Sequence, residues 1–195
     1  ISGLAFIFGL FTVVATFFVA KVFRNNSSMI LTLSGIIVGG LMGSVLSFIK
    51  YLADAETTLA SITFWLMGSF ENSVMNDVWY LLPIVIVCLG VVLLISYRIN
   101  VISLGKEEAQ TKGVNYVFYR TLIILIATLL TASSVAFAGT ISWIGLVIPH
   151  IVRLCVGRDT TKTIPLSITF GASFMIISDI LCRSFTAAEI PISAI

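Results

Sequence analysis

Apolar residues fall in six blocks along the chain, each bounded by charges or turn residues. The blocks cover about 1–20, 29–49, 79–97, 119–138, 142–155 and 164–182. A helix needs roughly 20 apolar residues to cross a bilayer, so five blocks predict full spans. The fifth, 142–155, is short for a span and predicts a tilted, broken or partly crossing helix. Lys21 and Arg24 close the first block, Lys50 the second, Arg98 the third and Arg183 the sixth. The expected fold is therefore all-α: a polytopic helical membrane protein with about six transmembrane segments in a single domain over 1–195.

The connections carry their own signals. The stretch 50–78 is long and only partly polar. Its "ITFWLMGSF" (62–70), with Trp65 inside and Trp79 beyond, predicts a short helix at the outer surface, as an interfacial anchor or folded back into the protein. The stretch "NVISLGKEEAQTKGVNYVFYR" is the most polar of the chain, with Lys106, Glu107, Glu108, Gln110 and Lys112 between Gly105 and Gly113. The two glycines predict a short helix between them and a second short element leading into the fourth block. Whether this is a solvated loop or a partner surface stays open on pattern alone.

Charge sets the orientation. Six crossings put Lys21, Arg24, Arg98, Lys106, Lys112, Arg120, Arg153, Arg158 and Lys162 on one side. Lys50 and Arg183 fall on the other, together with Asp54, Glu56, Glu71, Asp77 and Glu189. Basic residues mark the cytoplasmic side. This parity needs the short fifth block to cross.

Composition agrees with a membrane protein: 58% of residues are hydrophobic and 10% charged, against roughly 25% charged in soluble domains. A net charge of +2 gives no sign of a nucleic-acid partner. Cys88, Cys155 and Cys182 lack metal or redox spacing and are expected to pack as small apolar residues. No metal site or cofactor is expected. The first block opens directly at Ile1, and the chain reads as a piece of a longer one.

Three features carry candidate function. Gly35, Gly39, Gly43 and Ser47 recur every four residues, a small-residue face for helix packing, a solute pathway or both. Asp179 and Arg183 are spaced to pair on one helix, as a structural ion pair or as part of an outer contact. "GTISWIGLVIPHIVRLCVGRD" (139–159) places Pro149, Arg153 and the single histidine, His150, in an apolar run. His150 is either a ligand or part of a helix-breaking turn; with no second histidine the structural reading is preferred.

The stretches "FAGTISWIGLVIPHIVRLCVGRD" and "GASFMIISDILCRSFTAAEIPIS" resemble the permease family that imports iron-siderophores, haem and cobalamin, the membrane subunits of type II ABC importers. Gly139 to Arg153 meets the pattern G-x-I-x-F-[IV]-G-L-[IV]-[IV]-P-H-[IV]-x-R, with Trp143 at the usual Phe. "SLGKEEAQTKGVN" is similar to the family's L-G-x-x-x-A-x-x-L-G-V stretch, with Lys112 at the usual Leu, and "FWLMGSF" also matches. The resemblance covers the whole chain and implies spans four to nine of ten.

The resemblance also implies roles. Leu104, Gly105, Lys106, Glu107, Glu108, Ala109, Gly113 and Val114 stand where the family docks its ATPase. Ser27 and Ser28 stand at an inner gate, and Gly35, Gly39, Gly43 and Ser47 on the pathway. Arg183 stands where the family contacts a glutamate of the extracytoplasmic substrate-binding protein. Gly145, Pro149, His150, Arg153 and Asp179 read as architectural. The implied partners are ATP-binding subunits, that binding protein, a second permease copy and membrane lipid, in a bacterial or archaeal cell (inner) membrane. The implied solute is an iron chelate, haem or a corrinoid. The chain has no G-x-x-x-x-G-K-[ST], so nucleotide hydrolysis falls to another chain. An intramembrane enzyme would need a set such as H-E-x-x-H, which is missing. A stand-alone channel or secondary transporter would need more charges along its spans than Asp179.

Overall fold

The computed structural model describes residues 2–23, 28–70, 74–141 and 143–185. These form α1 (Ser2–Val22), α2 (Ser28–Leu52), α3 (Thr58–Met67), α4 (Met75–Leu94), α5 (Ser96–Ser103), α6 (Lys106–Thr111), α7 (Tyr116–Ala138), α8 (Ile144–Val156) and α9 (Thr160–Phe185). Five of them, α1, α2, α4, α7 and α9, are long and apolar enough to cross a membrane. The protein is a multi-pass membrane protein.

Most large apolar side chains face outward, among them Phe8, Phe11, Phe18, Ile36 and Phe48. In lipid these surfaces meet acyl chains, so helix contacts depend on close approach of small residues. α1 packs against α2 and α7, α4 against α7, and α8 against α9. A Cβ placed on Gly9 would stand 3.2 Å from the Ala132 Cβ, which marks a close approach between α1 and α7. Ser34 and Ser133 are fully buried on α2 and α7. Ser133 satisfies its hydroxyl locally, donating to the carbonyls of Leu129 at 2.6 Å and Leu130 at 3.0 Å.

The predicted third block shifts. It is a helix over Met75–Leu94, not 79–97, because α4 stops at Ile95 (φ −93°, ψ 4°) and α5 starts anew at Ser96. Asp77 sets the early start by accepting from the Val74 N–H at 3.1 Å, which supplies a partner to a donor ahead of the helix. The short outer helix is α3. Asp54 folds the chain into it, accepting from the N–H groups of Glu56 (3.0 Å) and Thr57 (3.1 Å) and from the Thr57 hydroxyl (3.1 Å). The Thr57 N–H and hydroxyl, then the Glu56 N–H, hold the Asp54 carboxyl below the usual carboxylate range.

No α3 residue is buried along its length, but its C-terminal end folds back. The Ser69 N–H donates to the Ala138 carbonyl at 3.1 Å, and the Thr140 hydroxyl donates to the Leu66 carbonyl. Gly68 (φ 69°) and Gly139 (φ 72°) meet face to face in left-handed conformations. A Cβ on Gly139 would overlap the Trp65 carbonyl oxygen and stand 2.9 Å from the Gly68 Cα. The seam gives the Ala138 carbonyl at the end of α7 a backbone partner, and the Thr140 side chain gives one to the Leu66 carbonyl near the end of α3.

The expected helix break at Pro149 is displaced. Pro149 lies inside α8, and the departure from helix falls at 139–141 and at Trp143 (φ 68°). Pro149 is the sixth residue of α8, where its missing N–H forfeits the bond to the Gly145 carbonyl while the helix runs on through it. α8 has 13 residues, about 20 Å at 1.5 Å per residue. The non-helical stretch ahead of it adds up to about 3.3 Å per residue toward the roughly 30 Å of hydrocarbon. The short fifth block therefore returns the chain to the side where α5 and α6 lie, as a hydrogen bond between Asn100 and Asp159 requires.

Gly139→Ala is expected to destabilise the folded chain by about 2–5 kcal/mol, the sum of a left-handed backbone penalty and overpacking. Gly90→Ala, where a Cβ meets nothing within 4 Å, should leave stability near wild type. Thermal unfolding of the two variants in detergent checks the difference.

Candidate functional site

The end that carries α5 and α6 is built around a small apolar cluster. Val101 of α5, Ala109 of α6 and Val114 are buried together, with Ile102, Tyr116 and Tyr119 packed on them. Gly105 (φ 113°) and Gly113 (φ 71°) make the turns into and out of α6, as the sequence indicates. Ala109 is fully buried, so the opposite face of α6 is presented outward. Lys106, Glu107, Glu108 and Lys112 are all exposed there, and Leu104, Val117 and Phe118 are exposed beside them. The Asn115 side chain caps α7 by accepting from the Phe118 N–H at 3.1 Å. The Arg98 guanidinium lies 5.5 Å from the Tyr119 ring centre, tying α5 to the start of α7.

A second contact at this end is absent from the sequence reading. Asn100 on α5 donates from Nδ2 to Asp159 Oδ1 at 2.7 Å, and its Oδ1 accepts from the Thr160 N–H at 2.7 Å. Asp159 Oδ1 also accepts from the Thr161 N–H (3.0 Å) and hydroxyl (2.7 Å), capping α9. The Thr161 hydroxyl, the Asn100 amide and the Thr161 N–H hold the Asp159 carboxyl below the usual carboxylate range, and Lys162 adds to this. Asp159 followed by two threonines ahead of an apolar run is a legible helix start. Asn100 carries no such signal, since its partner lies 59 residues away.

Near the C-terminal end of α9, the Arg183 Nε donates to Asp179 Oδ2 at 2.9 Å, so the pair foreseen from spacing forms. The side chains are 48% and 30% exposed, which leaves the arginine at the surface.

The small-residue face of α2 divides. A Cβ on Gly35 would stand 3.8 Å from Thr16 Cγ2 of α1, whereas Gly39 and Gly43 have nothing within 4 Å. Ser47 is exposed and donates to the Gly43 carbonyl at 3.0 Å. Close packing with α1 accounts for Gly35, and leaves Gly39, Gly43 and Ser47 open. Ser27 lies outside the described residues. Ser28 opens α2, but its side chain lies outside them too.

On α8, Ile148 and Val152 are buried and set the packing face. Gly145, His150 and Arg153 lie on the exposed side, where with Trp143, Leu146 and Pro149 they line a shallow open depression. Among the described residues His150 makes no hydrogen bond, and no group of three His, Cys, Asp or Glu side chains could hold a metal.

The model of the FecCD transport family matches residues 1–195. The chain belongs to the FecCD transport family. Among curated relatives, the molybdate import system permease protein MolB of Haemophilus influenzae is 37% identical over 187 residues, covering 96% of this chain and 56% of MolB. The cobalamin import system permease protein BtuC of Halobacterium salinarum is 38% identical over 165 residues, covering 85% and 44%. The Fe(3+) dicitrate transport system permease protein FecC of Escherichia coli is 34% identical over 142 residues, covering 72% and 43%. A transporter described as of the metal-chelate ABC type, solved in an inward-facing conformation, superposes with a TM-score of 0.90 at 36% identity, over 97% of this chain and 60% of that one. The FecCD chain spans about half the length of the curated relatives it matches. MolB adds an oxyanion to the solutes these relatives are named for, beyond the chelate, haem and corrinoid that the sequence motifs imply.

The divided face of α2 makes a testable contrast. Gly35→Leu should lose folded protein, because the side chain meets α1, whereas Gly39→Leu should fold and reach the membrane. The measurement is the yield of monodisperse protein after extraction. A loss at Gly39 as large as at Gly35 would place Gly39 in a packed contact.

Proposed function

We infer that this chain forms part of the permease subunit of an ABC importer that carries a metal chelate or corrinoid across the cell membrane. Separate ATP-binding subunits power it, an extracytoplasmic binding protein supplies it, and a second permease copy completes the pathway. The observation that carries this reading is α6. Its two glutamates stand exposed on a helix whose other face is locked by Ala109, Val101 and Val114. A solvated loop has no need of such a core, while a docking surface needs its charges held in place. Membership of the FecCD transport family supports the same role.

The pathway reading rests on Gly39, Gly43 and Ser47, which leave one side of α2 free of bulk. The motif on α8 is architectural in this reading: Ile148 and Val152 anchor the helix to α9, and the glycine and proline shape its first turns.

Reversal of both α6 glutamates (Glu107→Lys with Glu108→Lys) should reduce copurified ATPase about tenfold, a loss of about 1.4 kcal/mol of favourable contact. The spans should stay folded. Wild-type levels of copurified ATPase and of ATP hydrolysis would remove α6 as the docking surface. The solute class is tested by uptake of radiolabelled ferric citrate, cobalamin and molybdate into proteoliposomes holding the whole transporter. Accumulation of molybdate alone would move the solute to the oxyanions.

Arg183 supplies a further check. As a half-exposed pair, Arg183–Asp179 should add at most about 1 kcal/mol to the permease itself. Arg183→Glu is therefore expected to leave thermal stability nearly unchanged and to weaken binding-protein capture, more strongly at low salt. A matching Glu→Arg change in the binding protein should restore capture. A less heat-stable permease with no restoration would make the pair structural.

A further inference from the structure

We propose that the Asn100–Asp159 pair is the positioning contact that carries movement of the α5–α6 surface into α8 and α9. This rests on the reading of α6 as the ATPase dock and goes beyond it by naming the route inward.

The placement of α5 is what gives the pair this role. α5 follows α4 across a bend at Ile95, where the Ile95 N–H still donates to the Val91 carbonyl and its own carbonyl accepts from Ile99. One of its faces puts Val101 into the cluster with Ala109 and Val114. The adjacent residue, Asn100, points to the turn between α8 and α9. A load applied to α6 reaches α5 through packed side chains, and the Asn100 amide is the polar link from α5 to the turn ahead of α9, against which α5 also packs. Both polar atoms of that amide are engaged, the donor by a carboxylate and the acceptor by a helical N–H. A two-point contact resists rotation as well as separation.

On the receiving side the turn is tied to α9. Asp159 caps α9 through Thr161, and the Thr163 hydroxyl donates to the Asp159 carbonyl at 2.8 Å and to the Gly157 carbonyl at 3.4 Å. Thr163 is buried. The end of α8, the turn and the first turn of α9 therefore form one unit, and Asn100 grips it from outside.

Loss of the Asn100 amide tests the pair. Asn100→Asp sets two carboxylates against each other, and Asn100→Ala removes both bonds; neither touches the α9 cap, which Thr161 makes to Asp159. The native thiol of Cys155, exposed near the end of α8, reports on the unit, while Cys88 and Cys182 are buried. The experiment uses the whole transporter in proteoliposomes opened to a maleimide reagent, with Cys155→Ser as the labelling control. Labelling rates are compared with and without ATP plus vanadate, alongside copurified ATPase and thermal stability.

In the wild type, nucleotide should change the Cys155 labelling rate. Asn100→Asp should shrink that change about fivefold, a size within reach of a single coupling position, with the ATPase still bound. Asn100→Ala, which removes both bonds without adding charge, should do the same. A full response in Asn100→Asp and Asn100→Ala overturns the proposal. A wild type that binds and turns over ATP without any change at Cys155 also overturns it. Failure of the wild type to retain the ATPase sinks the docking reading and this inference with it.

Discussion

Backbone that leaves a helix must find hydrogen-bond partners elsewhere in the protein, and the fold of this chain turns on that constraint. α7 ends at Ala138, whose carbonyl lies past the last helical donor, the Gly139 N–H that bonds to Val135. The end of α3 supplies a partner through the Ser69 N–H, and the Thr140 hydroxyl in turn serves the Leu66 carbonyl, across two glycines that touch. Because the seam exists, α8 can be short and still return the chain, and the alternation of charge between the two sides is kept. Glycine is required twice for separate reasons: each position is left-handed, and neither leaves room for a Cβ.

The long elements were legible because their signal is local. A run of apolar residues long enough to cross, ended by Lys21, Lys50 or Arg183, needs no knowledge of neighbours. The same holds for α6, whose two bounding glycines and polar face are contiguous in sequence, and for Asp179–Arg183, one helical turn apart. The boundary at Ile95 was not legible, since the apolar run passes through it without a glycine, proline or charge. Pro149 misled for a related reason. The chain leaves the helical path ahead of α8, at the seam whose other half lies 74 residues earlier, and α8 carries the proline as its sixth residue.

The candidate site shows the same division. Exposure of Glu107 and Glu108 follows from a pattern within one short stretch. The split of the α2 face does not, because a four-residue repeat says which residues share a side but not how far α1 extends along it. α1 reaches Gly35 and leaves Gly39 and Gly43 uncovered. Asn100 is the extreme case, an ordinary polar residue whose importance comes only from the turn that folds against it.

The seam also fixes an order of assembly. Leu66 and Gly68 leave the ribosome well before Ala138 and Thr140, so the earlier strip of backbone must wait, unclosed, while α4 to α7 are made. Until the later strip arrives, the carbonyl of Leu66 has water or lipid headgroups as its company, and α3 has no reason to settle. Biogenesis of this membrane protein therefore has a late, single closing step, in which a surface helix made early and a span made late take their final positions together.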